Sequence, residues 1–136
     1  MMYKKLNRKK HIREDGWLSE LVSMNYDDEP FNCVHSYLVS IEPDKTRAKH
    51  YHNKKEEWLC ICSEKIELIL EDVKTKKRET LVLDSNSENY NIIYIPPGVA
   101  HAIKNICENK ASVVIFSKNP EDTNDTFEYE FNLIKI

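Results

Sequence analysis

The chain has 136 residues, a net charge of −3, a 40% hydrophobic fraction and 32% charged residues. It is long enough for one domain with its own core, and too apolar for wholesale disorder. The charge balance draws it neither to nucleic acid nor to an acidic membrane, and no apolar run approaches the roughly 20 residues of a membrane span. A polar start carries no secretory signal, so a cytoplasmic protein with reduced thiols is expected.

Taken in chain order, residues 1–12 read as a flexible, solvated basic arm, with Lys4, Lys5, Arg8, Lys9 and Lys10 clustered. The core is expected over about 13–131, as a single domain. Strands are predicted at 36–42, 57–63, 65–73, 79–84, 91–95, 112–117 and 127–134, each short and rich in β-branched or aromatic residues. Turn sequences separate them, among them EPDK, KTKK and DSNSEN. With only two glycines in the chain, Gly16 and Gly98 are expected to mark special backbone positions. Cys60 and Cys62 alternate along one predicted strand and read as packing residues rather than a metal clip. The rhythm is that of an all-β sandwich or barrel.

Chemistry concentrates in two stretches. In HYHNKKEEW (50–58), His50 and His52 are two apart and share a face if the chain is extended, so both imidazoles reach one point. A strand over 57–62 turns Glu57 inward with Leu59 and Ile61, and Glu56 outward; a one-residue slip reverses this. The second stretch, IYIPPGVAHAIKN (93–105), supplies His101 after a Pro-Pro-Gly turn. Three histidines and a carboxylate suit Zn, Fe(II), Mn or Ni with positions left for water or substrate.

His50-Tyr-His52 with Glu57, followed by Pro96-Pro-Gly98, His101 and Asn105, resembles the two-part signature of the cupin superfamily. That resemblance implies a double-stranded β-helix, the jelly-roll barrel, with these residues inside. The glycine usual seven residues after the glutamate is Glu64 here, so the turn is expected to be made differently, through Ser63. EDGWLSE (14–20), HSYLVSIEPDKTRAKHYH (35–52) and IYIPPGVAHAI look like the dTDP-4-dehydrorhamnose 3,5-epimerase-like branch. HYHNKK, IPPGVAHAIKN and NPEDTNDTFEYE are also similar to the cupin domain of capsular-polysaccharide enzymes that epimerise a UDP-4-ketosugar beside a zinc site.

The resemblance implies a sugar-nucleotide epimerase or ketoisomerase of surface-polysaccharide synthesis. It would abstract a proton α to the C4 ketone of a nucleotide-linked 4-keto-6-deoxyhexose. His50 and His101 are then the catalytic groups, and Arg47, Glu20 and Asn105 the substrate-binding residues, Asn105 also reading as a tie for nearby backbone. His50, His52, Glu57 and His101 are the ligands of a divalent metal, zinc first. His50 cannot be ligand and free base together, so a metal-free acid–base site is the other form of this reading. A tyrosine expected about thirteen residues after His101 is replaced by Val114, Ile115 and Phe116, none able to move a proton. Tyr37, Tyr51, Tyr90 and Tyr94 are the candidates to replace it, and single-centre epimerisation or 3,4-ketoisomerisation fits the loss. Exposed strand edges and the resemblance both imply a homodimer. The rival classes are a metal-dependent oxygenase and a non-catalytic sugar- or metal-binding cupin.

Overall fold

The computed structural model describes residues 2–23 and 32–132. The strands are β1 (Lys4–Arg8), β2 (His11–Arg13), β3 (Gly16–Leu18), β4 (His35–Ile41), β5 (Thr46–Tyr51), β6 (Glu57–Ser63), β7 (Lys65–Asp72), β8 (Arg78–Asp84), β9 (Tyr90–Ile95), β10 (Val99–Asn105), β11 (Ala111–Ser117) and β12 (Phe127–Glu128). They form two five-stranded sheets, ordered β1-β9-β6-β11-β4 and β12-β5-β10-β7-β8, and a β2-β3 hairpin. All pairings are antiparallel. Among the described residues no helix is long and apolar enough to cross a membrane.

The inner faces follow from period-two alternation. Leu59 and Ile61 of β6, Ile66, Leu68 and Leu70 of β7, Ile93 and Ile95 of β9, and Ile103 of β10 are all buried in one core. Each such side chain contributes about 1.5–3 kcal/mol on leaving water. This is the register that turns Glu57 inward.

Residues 2–12 of the expected arm are not free. Lys4–Arg8 pairs along its length with β9, Tyr3 is buried in the core, and the buried Arg8 side chain donates to the Leu21 carbonyl at 2.6 Å. Lysines on an edge strand face solvent and deter further pairing, so composition alone reads as an arm. At the other end, the strand predicted over 127–134 is a strand only at Phe127–Glu128; 133 and 134 lie outside the described residues. Tyr129 and Phe131 instead lay their rings on Ile69, Ala100 and Ala102, closing a second small core. Cys60 is buried while Cys62 is exposed.

Backbone at positive φ marks the bends. Gly98 (φ 81) closes the Pro-Pro-Gly turn, its N–H donating to the His52 carbonyl at 2.7 Å. Glu64 itself adopts φ 64 between β6 and β7, so the turn keeps the geometry that glycine ordinarily supplies and is not rerouted through Ser63. A side chain there costs about 1–2 kcal/mol against the following carbonyl, while glycine adds about 0.5–1 kcal/mol of unfolded-state entropy. Glu64→Gly is therefore expected to stabilise the fold by up to about 1 kcal/mol. A urea midpoint that stays put or falls would show that the Glu64 side chain compensates its own strain.

Candidate active site

The site lies between β5, β6 and β10. Ala48 and Lys49 both take positive φ (70° and 57°), and the β5–β10 register shifts beside them. This bulge inserts a residue, so Arg47 and His50, three apart, pair with Ile103 and His101 and share the inner face. His52 follows β5, and Glu57 opens β6. His50, His52, Glu57 and His101 offer ligand atoms all within 4.8 Å of one another.

Two of the imidazoles are fixed from behind. Nδ1 of His52 lies 2.7 Å from the Asp125 carbonyl, and Nδ1 of His101 lies 3.4 Å from that of Val99. A carbonyl only accepts, so each Nδ1 carries the proton and each Nε2 presents a lone pair. Both lone pairs point at one atom, Glu57 Oε1, from 3.3 Å and 3.2 Å. His52 Nε2 and Glu57 Oε1 are buried and lack a hydrogen-bond partner. Electron pairs held this close repel unless a cation sits among them, and a divalent ion satisfies all three atoms at once. The donor set thus fits a metal.

Without a metal, a proton can take the cation's place. Burial raises the Glu57 carboxyl, but His101, His52 and the Tyr37 hydroxyl outweigh it and hold Glu57 far below the usual carboxylate range. Burial lowers His52, and the neighbouring Glu57 more than restores it. Burial, then His101 and His52, push His50 down to about 4, so its imidazole is neutral near neutral pH. His50 is also the least buried of the four, and no hydrogen bond to its ring is found among the described residues.

The loop carrying these groups is clamped by a residue the two-part motif does not contain. Asp125 accepts the backbone N–H groups of Asn53, Lys54 and Lys55 at 2.9, 3.1 and 3.0 Å, while its own carbonyl holds His52. Burial raises its carboxyl, and those donors overcome this to hold it below the ordinary aspartate value. In sequence it is one acid in the turn-like NPEDTND, 70 to 73 residues from its partners. Lys55 was equally hidden in a run of charges. It is buried, 3.7 Å from Glu57 Oε2 and 3.2 Å from Glu121, whose carboxylate also meets His35 at 3.3 Å.

Of the four tyrosines, Tyr37 reaches the cluster, donating to Glu57 Oε2 at 2.5 Å. Tyr94 bonds Glu56 on the outward side, Tyr90 donates to the Ile61 carbonyl, and Tyr51 stacks on Phe127. Asn105 is not a substrate contact. It is fully buried, donates to the carbonyls of Ile41 and Asn109, and accepts from the Cys107 N–H, so its amide is spent on backbone. Arg47 is exposed on the inner-face register, and Glu20 lies exposed beyond β3, outside the cluster of four. Trp17 packs its ring 5.4 Å from Tyr90 with the Lys10 ammonium 4.1 Å above it.

Two antiparallel five-stranded sheets with a histidine–glutamate cluster between them define a cupin-type jelly roll. Residues 11–128 match the model described as the polysaccharide biosynthesis C-terminal domain, and the chain belongs to that family. Among solved structures it is similar to a 3,4-ketoisomerase from Helicobacter canadensis, with 20% identity over 93% of this chain and 90% of that one, at a TM-score of 0.77. The TDP-quinovose 3,4-ketoisomerase of Campylobacter jejuni shares 23% identity over 93% and 92%, at 0.75. A dTDP sugar isomerase from Desulfovibrio desulfuricans shares 15% over 96% and 85%, at 0.83. No curated protein matches the chain in sequence.

Proposed function

We propose that the protein is a sugar-nucleotide isomerase that moves a proton between adjacent carbons of a nucleotide-linked 4-keto-6-deoxyhexose. The observation that carries this is a neutral, half-open imidazole, His50, beside a cluster built to hold a cation. The similar ketoisomerases and the family's place in polysaccharide synthesis support the substrate class. We assign His52, Glu57 and His101 as the metal-holding residues, zinc foremost, and His50 as the base. Three protein ligands leave a position for substrate, as in catalytic zinc sites. A metal held there would act as a Lewis acid towards the ketone oxygen.

His50 takes the C3 proton, leaving an enediolate across C3 and C4, and returns a proton to C4 as the hydroxyl proton passes from O3 to O4. One base on one face is enough for this exchange. A second acid across the ring, required for inversion at two centres, is absent at Val114, Ile115 and Phe116. Arg47, on the register of the inner face yet exposed, suits a diphosphate, which a guanidinium binds through paired hydrogen bonds. The expected homodimer belongs to this reading. Among the described residues, edge strand β4 pairs with a strand on one side only, with Leu38 exposed on it, and sedimentation velocity tests the association.

The test is dTDP-4-keto-6-deoxyglucose incubated with the metal-loaded protein in D₂O and followed by NMR and mass spectrometry. Deuterium at C4 of a 3-ketone product is expected, with deuterium at C3 only in 4-keto substrate returned by the reverse reaction, and both are lost in His50→Asn with the metal retained. No deuterium above the uncatalysed rate, with either the dTDP or the UDP sugar, would overturn the reading.

A further inference from the structure

The two oxygens of Glu57 are treated differently. Oε1 faces His52 and His101 at 3.3 and 3.2 Å and has no hydrogen-bond donor. Oε2 turns the other way, accepting from the Tyr37 hydroxyl at 2.5 Å with the Lys55 ammonium 3.7 Å off. Lys55 is buried, and its place is fixed at three points. Its backbone N–H is held by Asp125, its ammonium bonds Glu121 at 3.2 Å, and it lies 5.2 Å above the Tyr37 ring. A lysine kept from water at this cost is not a solvated charge of the strand.

A carboxylate binds a cation through one oxygen or through two. With both oxygens free, the second one swings in and fills a coordination position. We propose that Lys55 is a positioning residue which, with Tyr37, holds Glu57 as a one-oxygen ligand and so keeps a metal position open for the substrate oxygen. This rests on the metal reading above. Lys55 does not itself touch the reacting atoms. It acts through Glu57, and its positive charge also offsets the buried carboxylate before metal arrives.

The experiment uses cobalt(II) as the probe, loaded into the full-length wild-type, Lys55→Met and Lys55→Arg proteins, with thermal melts confirming that each is folded. Wild type is expected to give the intense visible bands of four-coordinate cobalt. Lys55→Met is expected to give the weaker bands of a five-coordinate ion and to bind cobalt about 10- to 100-fold more weakly, the usual cost of losing an outer partner of a ligand. Lys55→Arg, which keeps the charge, is expected to lie nearer wild type in both. A folded Lys55→Met with wild-type affinity and spectrum would overturn the proposal while leaving the metal reading intact. A wild type that binds no cobalt would overturn both. Should Lys55→Met fail to fold, Tyr37→Phe removes the hydroxyl that donates to the same oxygen, and wild-type bands there would overturn the proposal equally.

Discussion

Glu57→Gln is expected to abolish tight metal binding without harming the metal-free fold. The carboxylate is the one charged ligand of the cluster, so the loss should exceed the about 10- to 100-fold that follows removal of an outer partner. Stability responds differently. In the metal-free wild type with both imidazoles neutral, two lone pairs face Glu57 Oε1 at 3.3 and 3.2 Å. A glutamine amide nitrogen in that place donates to both, while its oxygen still accepts from Tyr37 and lies near Lys55. Melting in the presence of a chelator at alkaline pH, where the imidazoles are neutral, should therefore show Glu57→Gln no less stable than wild type. Glu57→Ala should be less stable than Glu57→Gln, because it also takes the acceptor from the Tyr37 hydroxyl and leaves a cavity in the buried cluster. Wild-type zinc affinity in Glu57→Gln, measured by calorimetry, would remove Glu57 from the ligand set. A Glu57→Gln much less stable than wild type under chelation would show that the lone-pair argument is wrong.

Asp125→Ala is expected to cost about 3 kcal/mol of stability, since charge-assisted hydrogen bonds contribute about 1.5–3 kcal/mol each and three backbone donors lose their acceptor together without adding in full. The 53–55 loop then loosens, and His52 loses its aim. Zinc affinity should fall by about 10- to 100-fold, although no ligand has been changed. The pH dependence carries a sign. The Asp125 carboxyl titrates below its unfolded value, so its contribution is whole above the ordinary aspartate pKa and disappears as pH falls through the folded one. Urea midpoints of wild type and Asp125→Ala should accordingly differ most near neutral pH and converge in acid. A gap that widens towards acid would contradict the assignment.

Both predictions turn on groups that the sequence treats very unequally. Glu57 was legible because a strand of period two, anchored by Leu59 and Ile61, can place only one of two adjacent glutamates in the core. His101 was legible from the Pro-Pro-Gly turn before it, and the all-β fold from short β-branched runs between polar turns. Those are local patterns, written within a few residues. Residues 1–12 misled for the same reason: an edge strand made of lysines has the local pattern of a solvated arm, and only its partner β9 makes it a strand. Asn105 sits in the second motif, but which of its neighbours claim its amide depends on loops brought beside it.

The class of fold and the four residues that cluster are written in the chain, since alternation and turn chemistry are properties of neighbouring residues. Tertiary structure alone decided how those four are held. The bulge at Ala48 and Lys49 brings Arg47 and His50 to one face, against the plain alternation of a strand. Asp125 reaches back 70 to 73 residues to fix the loop and His52, and Lys55 and Tyr37, 18 apart by number, close on one oxygen of Glu57. Such contacts depend on where the packing of two sheets brings distant backbone together, and no short-range pattern in the chain encodes that meeting.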